Sequence, residues 1–349
     1  MTEPVLTGRG LSQHFPLEHG TWDRLRRRPR PVLRAVDGVD LVVNRGETVG
    51  LVGESGCGKS TLGRALVGLY EPTAGQVLFG TEVLAAKRTR EQRRHVQMVF
   101  QDPYSSLNPR MTVGQTLREL LRLHRIVPRD RVDTRCRELV ELVGLPDHAL
   151  HSYPRQFSGG QRQRIGIARA LALEPQVLVA DEPVSALDVS VQANVLNLLA
   201  DLKRDLGLSM LFVAHNMAVV RQACDRVAVM YLGRVVETGP TEQVFTHPQH
   251  PYTRLLLASV PRMRPGHEPE ATVKGEPGSP VDLPTGCRFA TRCPLAFDRC
   301  LVDDPALQPV GGPGHEAACH LVDAVPGGAA ALPLATPLVG LPIQGSRRA

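Results

Sequence analysis

The sequence predicts an α/β protein in which helices and strands alternate around a phosphate-binding loop, and three stretches carry that expectation. The first is Gly53-Glu54-Ser55-Gly56-Cys57-Gly58-Lys59-Ser60-Thr61, which fits G-x-x-x-x-G-K-[ST] between the apolar run Val49-Gly50-Leu51-Val52 and the helix-compatible Leu62-Gly63-Arg64-Ala65-Leu66-Val67. The second is Val177-Leu178-Val179-Ala180-Asp181-Glu182, a continuous apolar run ending in two acids, as a buried parallel strand reads. The third is the alternation after it: helix from Val189 to Leu206, strand from Met210 to Ala214 ending at His215, helix from Ala218 to Cys224, strand from Val227 to Tyr231.

In chain order, Val5 to Phe15 reads as a strand ending in an aromatic. The Pro- and Arg-rich segment up to Arg34 has no helical period and reads as a loop. Val36, Val39, Leu41 and Val43 alternate, and the turn Asn44-Arg45-Gly46-Glu47 reads as a hairpin into the phosphate-loop strand. Gly75 to Gly80 and Val96 to Phe100 are further short strands, the second leading to Gln101. From Val113 the period changes: Leu117, Leu120, Leu121, then Val132, Leu139, Val140 recur at helical spacing, divided by Pro128 and Pro146, so a helical insertion is expected. Ser158-Gly159-Gly160-Gln161 starts another helix. Pro261 to Gly286 is a linker by composition, and the small-residue, Pro-rich end is expected to be a disordered tail over 324–349.

With 349 residues, 42% hydrophobic and 22% charged, the chain can bury a sizeable core. No apolar run is long enough for a membrane span, and Met1-Thr2-Glu3-Pro4 lacks the features of a signal peptide, so a cytoplasmic location is expected. The net charge of +6 comes largely from Arg24-Leu25-Arg26-Arg27-Arg28-Pro29-Arg30, read first as a solvated loop, ahead of a lipid or nucleic-acid contact. Seven cysteines suit a reducing compartment, as free thiols or metal ligands.

The glycines of residues 53–58 allow backbone N–H groups to converge on an anion, the helix N-terminus adds its positive end, Lys59 can reach β- and γ-phosphates, and Ser60 offers a hydroxyl to Mg²⁺. A glycine turn without function is the bland alternative, and the strand before and helix after weigh against it. Of the two acids, Asp181 suits the metal side and Glu182 the attacking water. Alone they would read as a solvated strand end; paired with a phosphate loop, the catalytic reading gains.

Phe157-Ser158-Gly159-Gly160-Gln161-Arg162-Gln163-Arg164 resembles the signature of ATP-binding cassette (ABC) proteins, and Ser185-Ala186-Leu187-Asp188 looks like their D-loop. Gln101 stands where the Q-loop glutamine belongs and His215 where the switch histidine does. These motifs follow the family's order over about residues 5–245. The resemblance implies a RecA-like P-loop NTPase core over 1–260 with an antiparallel β subdomain and a helical subdomain at about 103–157. It implies ATP and Mg²⁺ as ligands, with Ser60, Gln101 and Asp181 on the metal and Glu182, His215 and Gln101 as the catalytic set. Two cassettes pack head to tail in this family, so Ser158, Gly159, Gly160, Gln161 and Asp188 would complete a partner's site. Phe15 is the candidate for stacking on adenine, although the basic insertion after it departs from the family's short loop and leaves a core role equally open.

His247-Pro248-Gln249-His250-Pro251-Tyr252-Thr253-Arg254 resembles a hallmark of the oligopeptide/dipeptide importer branch, as do Arg34-Ala35-Val36-Asp37-Gly38-Val39 and Pro103-Tyr104-Ser105-Ser106-Leu107-Asn108-Pro109-Arg110. Taken by itself, the His/Pro segment reads as a turn into a helix. Cys287, Cys293, Cys300 and Cys319, in a C-terminal region over 261–323, are separated by 5, 6 and 18 residues. They lack the C-x-x-C knuckle usual for structural zinc, which weakens that reading; Pro294 after Cys293 and the wide spacing suit an iron–sulfur cluster, and zinc and free thiols remain the alternatives. Some members of the branch carry a four-cysteine [4Fe–4S] site here. The implied function is ATP hydrolysis driving peptide uptake, with a second ATPase subunit, two membrane permeases and an extracytoplasmic solute-binding protein as partners, no nucleic acid, and attachment to the cytoplasmic face of the membrane. Uptake of nickel or another small solute, a soluble non-transport cassette ATPase, and a regulatory cassette are the alternatives.

Overall fold

A computed structural model describes residues 3–18, 30–102, 107–185, 187–259, 278–325 and 328–331. Outside them lie residues 24–29 of the Arg-rich run, residues 103–106 of the motif after Gln101, Ala186, residues 261–277 of the linker and residues 332–349 of the tail. The chain falls into two compact units, Met1–Arg9, Leu41–Val49 and Leu62–Ala214 in one, Gly10–Asp40, Gly50–Thr61 and His215–Ala349 in the other. Strands β1 (Pro4–Pro16), β2 (Val32–Asn44) and β3 (Thr48–Val52) and helix α1 (Lys59–Val67) give residues to both.

The turn at Asn44–Glu47 forms, with Glu47 N donating to the Asn44 carbonyl at 3.1 Å and Asn44 Nδ2 donating to Glu47 Oε2 at 2.7 Å. It does not close a hairpin, which corrects the expectation from sequence: β2 joins a sheet of order β2-β1-β4-β5 that excludes β3. The burial patterns explain why. β2 alternates and needs cover on one face, whereas all five positions of β3 are buried, as in a strand covered on both faces.

In the first unit, β4 (Ala74–Phe79) and β5 (Glu82–Val83) pair antiparallel, and α2 (Arg90–His95) starts at a Thr89/Gln92 capping box. After β6 (Val96–Val99) come the inserted helices α3 (Val113–His124) and α4 (Val132–Leu142). The two helices are in contact, and Leu117, Leu121, Leu139 and Val140 are nearly inaccessible, as the three- and four-residue spacing requires. Helix α5 (Gly159–Leu171), strand β7 (Val177–Asp181), helix α6 (Val189–Leu206) and strand β8 (Ser209–Ala214) follow. Strands β6, β7 and β8 are parallel, with Val99 opposite Ala180 and Asp181 opposite Val213. Every residue of β7 and β8 is buried, so their apolar runs form the middle of the core. Arg88, itself buried, closes the far end of α1 by donating to the Val67 and Leu66 carbonyls at 2.6 Å each.

In the second unit, α7 (Met217–Ala223) leads to β9 (Arg226–Tyr231) and β10 (Arg234–Pro240), followed by α8 (Thr241–Thr246) and α9 (Pro251–Ala258). The cysteine-bearing stretch adds α10 (Asp298–Val302), β11 (Gln308–Pro309), β12 (Glu316–Ala317) and α11 (Leu321–Ala324). The strands run β9-β10-β12-β11, all antiparallel, with Glu237 opposite Ala317. Strands β11 and β12 of the cysteine-bearing stretch are thus built into the sheet of this unit. One fully buried carboxylate organises the join: Glu237 accepts from Gln249 N at 2.7 Å and His250 N at 2.9 Å, and pairs with His315 Nε2 at 2.8 Å. This accounts for the His/Pro segment physically, since its two central amides satisfy a buried charge. No helix among the described residues is long and apolar enough to cross a membrane.

Candidate nucleotide site

The loop leaves β3 and enters α1 at Lys59. Gly53, Gly56 and Gly58 have φ of 151°, 79° and 108°, a region L side chains rarely enter. Two of these glycines are also crowded: a Cβ on Gly53 would come within 2.1 Å of the Met230 carbonyl oxygen, and one on Gly58 within 2.0 Å of the Ala35 carbonyl oxygen. Gly233 N donates to the Cys57 carbonyl at 2.9 Å and fixes the loop from the β9–β10 turn. Ser55 and Gly56 are exposed at the crest, while Ser60 and Thr61 are half-buried in the first turn of α1.

Lys59 is 4% exposed, and its Nζ donates to the Gly53 and Glu54 carbonyls at 2.8 Å each and meets Cys57 Sγ at 3.7 Å. Among the described residues no carboxylate lies within ion-pair distance of it. A buried ammonium with only neutral partners, at the start of a helix, is an arrangement that favours an incoming anion. The Cys57 thiol is pushed up by burial, against the pull of Lys59, and stays protonated.

In the first unit, Asp181 ends β7 at 1% exposure, and Glu182 follows it with φ of 45°, a left-handed conformation costly for a non-glycine residue. Three hydrogen bonds hold that turn: Glu182 N donates to the Val213 carbonyl at 3.0 Å, and Ser185 N and Oγ donate to the Glu182 carbonyl at 3.3 and 3.1 Å. The turn aims the side chain so that Glu182 Oε2 accepts from Gln101 Nε2 at 2.9 Å. The sequence pattern named both residues but not this contact, because they stand 81 positions apart. His215 is exposed directly after β8, ahead of Asn216, whose Oδ1 caps α7 by accepting from Ala218 N at 2.9 Å.

Ser158 is the N-cap of α5. Its Oγ accepts from Gln161 N at 3.3 Å while Gln161 Oε1 accepts from Ser158 N at 3.0 Å, a reciprocal capping box at an exposed helix start. A Cβ on Gly160 would fall 2.4 Å from Val191 Cγ1, so glycine there lets α5 approach α6 closely; Gly159 has Leu187 Cδ2 3.4 Å from the same construction. Asp188 is the exposed N-cap of α6 and makes no side-chain capping bond. Phe15 lies half-buried next to the end of β1.

Cys287, Cys293, Cys300 and Cys319 line one small pocket in the second unit, with Leu295 and His250 among its other walls. Burial, and then mutual repulsion, push the thiols up, to about 11 at Cys287 and about 12 at Cys293. Cys300 and Cys319 are raised by burial as well. Among the described residues no three His, Cys, Asp or Glu are grouped to hold a single metal ion. The donor set fits a thiolate-bound centre in chemistry, but not one ion held by three close ligands.

Residues 36–185 match the ABC transporter family, and residues 236–300 match the oligopeptide/dipeptide transporter C-terminal region. A Brucella ovis protein named as a peptide import ATP-binding protein is 50% identical over 324 residues, spanning 91% of this chain and 98% of that protein. A Sinorhizobium fredii protein named as a peptide ABC transporter ATP-binding protein is 47% identical over 325 residues, spanning 92% and 91%. Among solved structures, the ATP-binding cassette MJ0796, in a dimeric post-hydrolysis state bound to ADP and Pi, aligns with a TM-score of 0.59 at 26% identity over 68% of this chain and 99% of that one. Clostridium perfringens cbiO1, part of the ABC transporter complex cbiONQ, aligns with a TM-score of 0.58 at 27% identity over 70% and 91%. The chain belongs to the ABC transporter ATP-binding family, and its fold is the α/β P-loop cassette. Within that family it carries the C-terminal region of the oligopeptide/dipeptide transporters.

Proposed function

We propose that this chain is the ATP-hydrolysing subunit of an ABC importer that takes up di- or oligopeptides, the cargo class for which its relatives are named. The ATP half of this reading rests on the buried Lys59 ammonium, held at a helix start by neutral partners alone. The amides of residues 53–61 and Lys59 bind the β- and γ-phosphates, and Phe15 stacks on the adenine. Ser60, Asp181 and Gln101 would hold Mg²⁺, which would supply positive charge to neutralise the phosphate oxygens. Glu182 takes the proton of the attacking water, and its hydrogen bond from Gln101 supports a carboxylate held ready as an acceptor. His215 contacts the γ-phosphate, while Ser158 to Gln161 and Asp188 serve the nucleotide held by a second ATPase subunit. Two permease subunits anchor the pair to the cytoplasmic face of the membrane and a solute-binding protein delivers the cargo. The ATP-binding domain extends over 1–260 and the cysteine-bearing region over 261–323. Glu182→Gln is expected to leave MgATP affinity within about twofold and to lower steady-state turnover at least about a hundredfold. Turnover close to wild type would remove Glu182 from the role of base.

The same reading extends to the four cysteines. Cys287, Cys293, Cys300 and Cys319 would hold a [4Fe–4S] cluster, supported by their sharing one pocket and by spacings wide enough to wrap a cube. Anaerobically purified protein should be brown and contain about four irons per chain. Colourless, iron-free protein contradicts the cluster.

A further inference from the structure

Glu54 is the second residue of the phosphate-binding loop, so its carboxylate stands on the segment that must receive a polyanion. Its charge is met from far along the chain. Arg292 Nη1 donates to Glu54 Oε2 at 2.7 Å and Arg292 Nη2 to Glu54 Oε1 at 2.9 Å, with the arginine side chain 6% exposed and the glutamate 22%. A two-pronged guanidinium–carboxylate pair fixes direction as well as charge. Arg292 is itself held over the rings of Tyr231 and Phe289, 5.8 and 6.0 Å from their centroids, and its Nη1 reaches the Tyr231 hydroxyl at 3.3 Å. The backbone of Glu54 is fixed too. Its N–H donates to the buried Tyr252 hydroxyl at 2.8 Å, and its carbonyl accepts from Lys59 Nζ at 2.8 Å.

We propose that Arg292 is a positioning residue for ATP, acting through Glu54. It cancels a carboxylate that would otherwise oppose the phosphates, and it holds the loop backbone so that the amides stay directed at them. Arg292 ends the turn Ala290–Arg292 and directly precedes Cys293, so the cysteine-bearing region and the nucleotide loop meet at one ion pair. The proposal rests on reading Gly53 to Thr61 as the triphosphate loop.

The test is the KM for MgATP and the kcat of the assembled transporter containing the full chain. Arg292→Ala should raise KM about tenfold and leave kcat within about twofold, because ground-state and transition-state binding lose the same contact. Adding Glu54→Gln to Arg292→Ala should restore most of the affinity, since the opposing charge is then gone; a merely structural role gives no such rescue. Arg292→Lys, which keeps the charge without the fork, should fall between. An unchanged KM in Arg292→Ala, or a loss that Glu54→Gln leaves in place, overturns the proposal. Should Arg292→Ala not fold, Arg292→Gln alone and with Glu54→Gln makes the same comparison. Lys59→Ala tests the loop separately: ATP binding that survives it removes the loop reading, whatever Arg292 does.

Discussion

His250 is buried, and burial alone pushes its pKa down to about 3, so the ring is neutral in the folded chain. The fold uses that state: Nδ1 accepts from Tyr252 N at 3.1 Å and caps α9, which carries the tyrosine that holds Glu54. In the unfolded chain the same ring titrates near 6.5. Because the folded value lies below the unfolded one, this stability is fully present above about pH 6.5 and is lost as pH falls toward 3, at up to about 1.4 kcal/mol per pH unit. Thermal unfolding midpoints should therefore decline between about pH 6.5 and 5, and less steeply in His250→Asn, which can still cap the helix. An equal decline in both proteins would show that His250 does not carry the effect. Asp37 in the Arg34–Val39 motif has the opposite balance. Burial raises its pKa, but the hydrogen bond and charge of buried Arg288 outweigh it and hold the carboxyl below the usual range. These two of the three branch hallmarks thus serve polar contacts with buried partners within the second unit.

Among the elements, those that follow one strong local rule were legible. Helix α6 occupies Val189–Leu206, the range read from the sequence, and α5 starts where Ser158 and Gln161 form a capping box. Strand β7 is buried throughout, as its unbroken apolar run requires. Elements defined by distant partners were not. Strand β10 has no apolar alternation of its own and is fixed by pairing with β9 and with two residues of β12 some 80 positions later, Glu237 opposite Ala317. The turn after β2 was legible and its consequence was not, because the fully buried pattern of β3 decides which sheet it joins. Gly160 shows the same limit. It reads as an anion-binding residue from its motif, while its closeness to Val191 shows that it also sets the approach of two helices.

On the scale of the whole molecule, the candidate site residues could be proposed from the sequence because each sits in a short motif and the motifs keep a fixed order. What holds them could not. Gln101 meets Glu182 across 81 positions, Tyr252 meets Glu54 across 198, and Arg292 meets Glu54 across 238. Such pairs depend on the fold and leave no spacing to read. Transport in this account also involves the permease partners proposed above; no described helix is long and apolar enough to cross a membrane. The most direct test is peptide accumulation by transporter reconstituted in lipid vesicles, with ATP supplied on the side bearing this subunit. The account predicts accumulation that requires ATP and disappears with Lys59→Ala or Glu182→Gln in this chain. Accumulation that persists in both variants, or ATP hydrolysis with no peptide movement in the intact assembly, would contradict it.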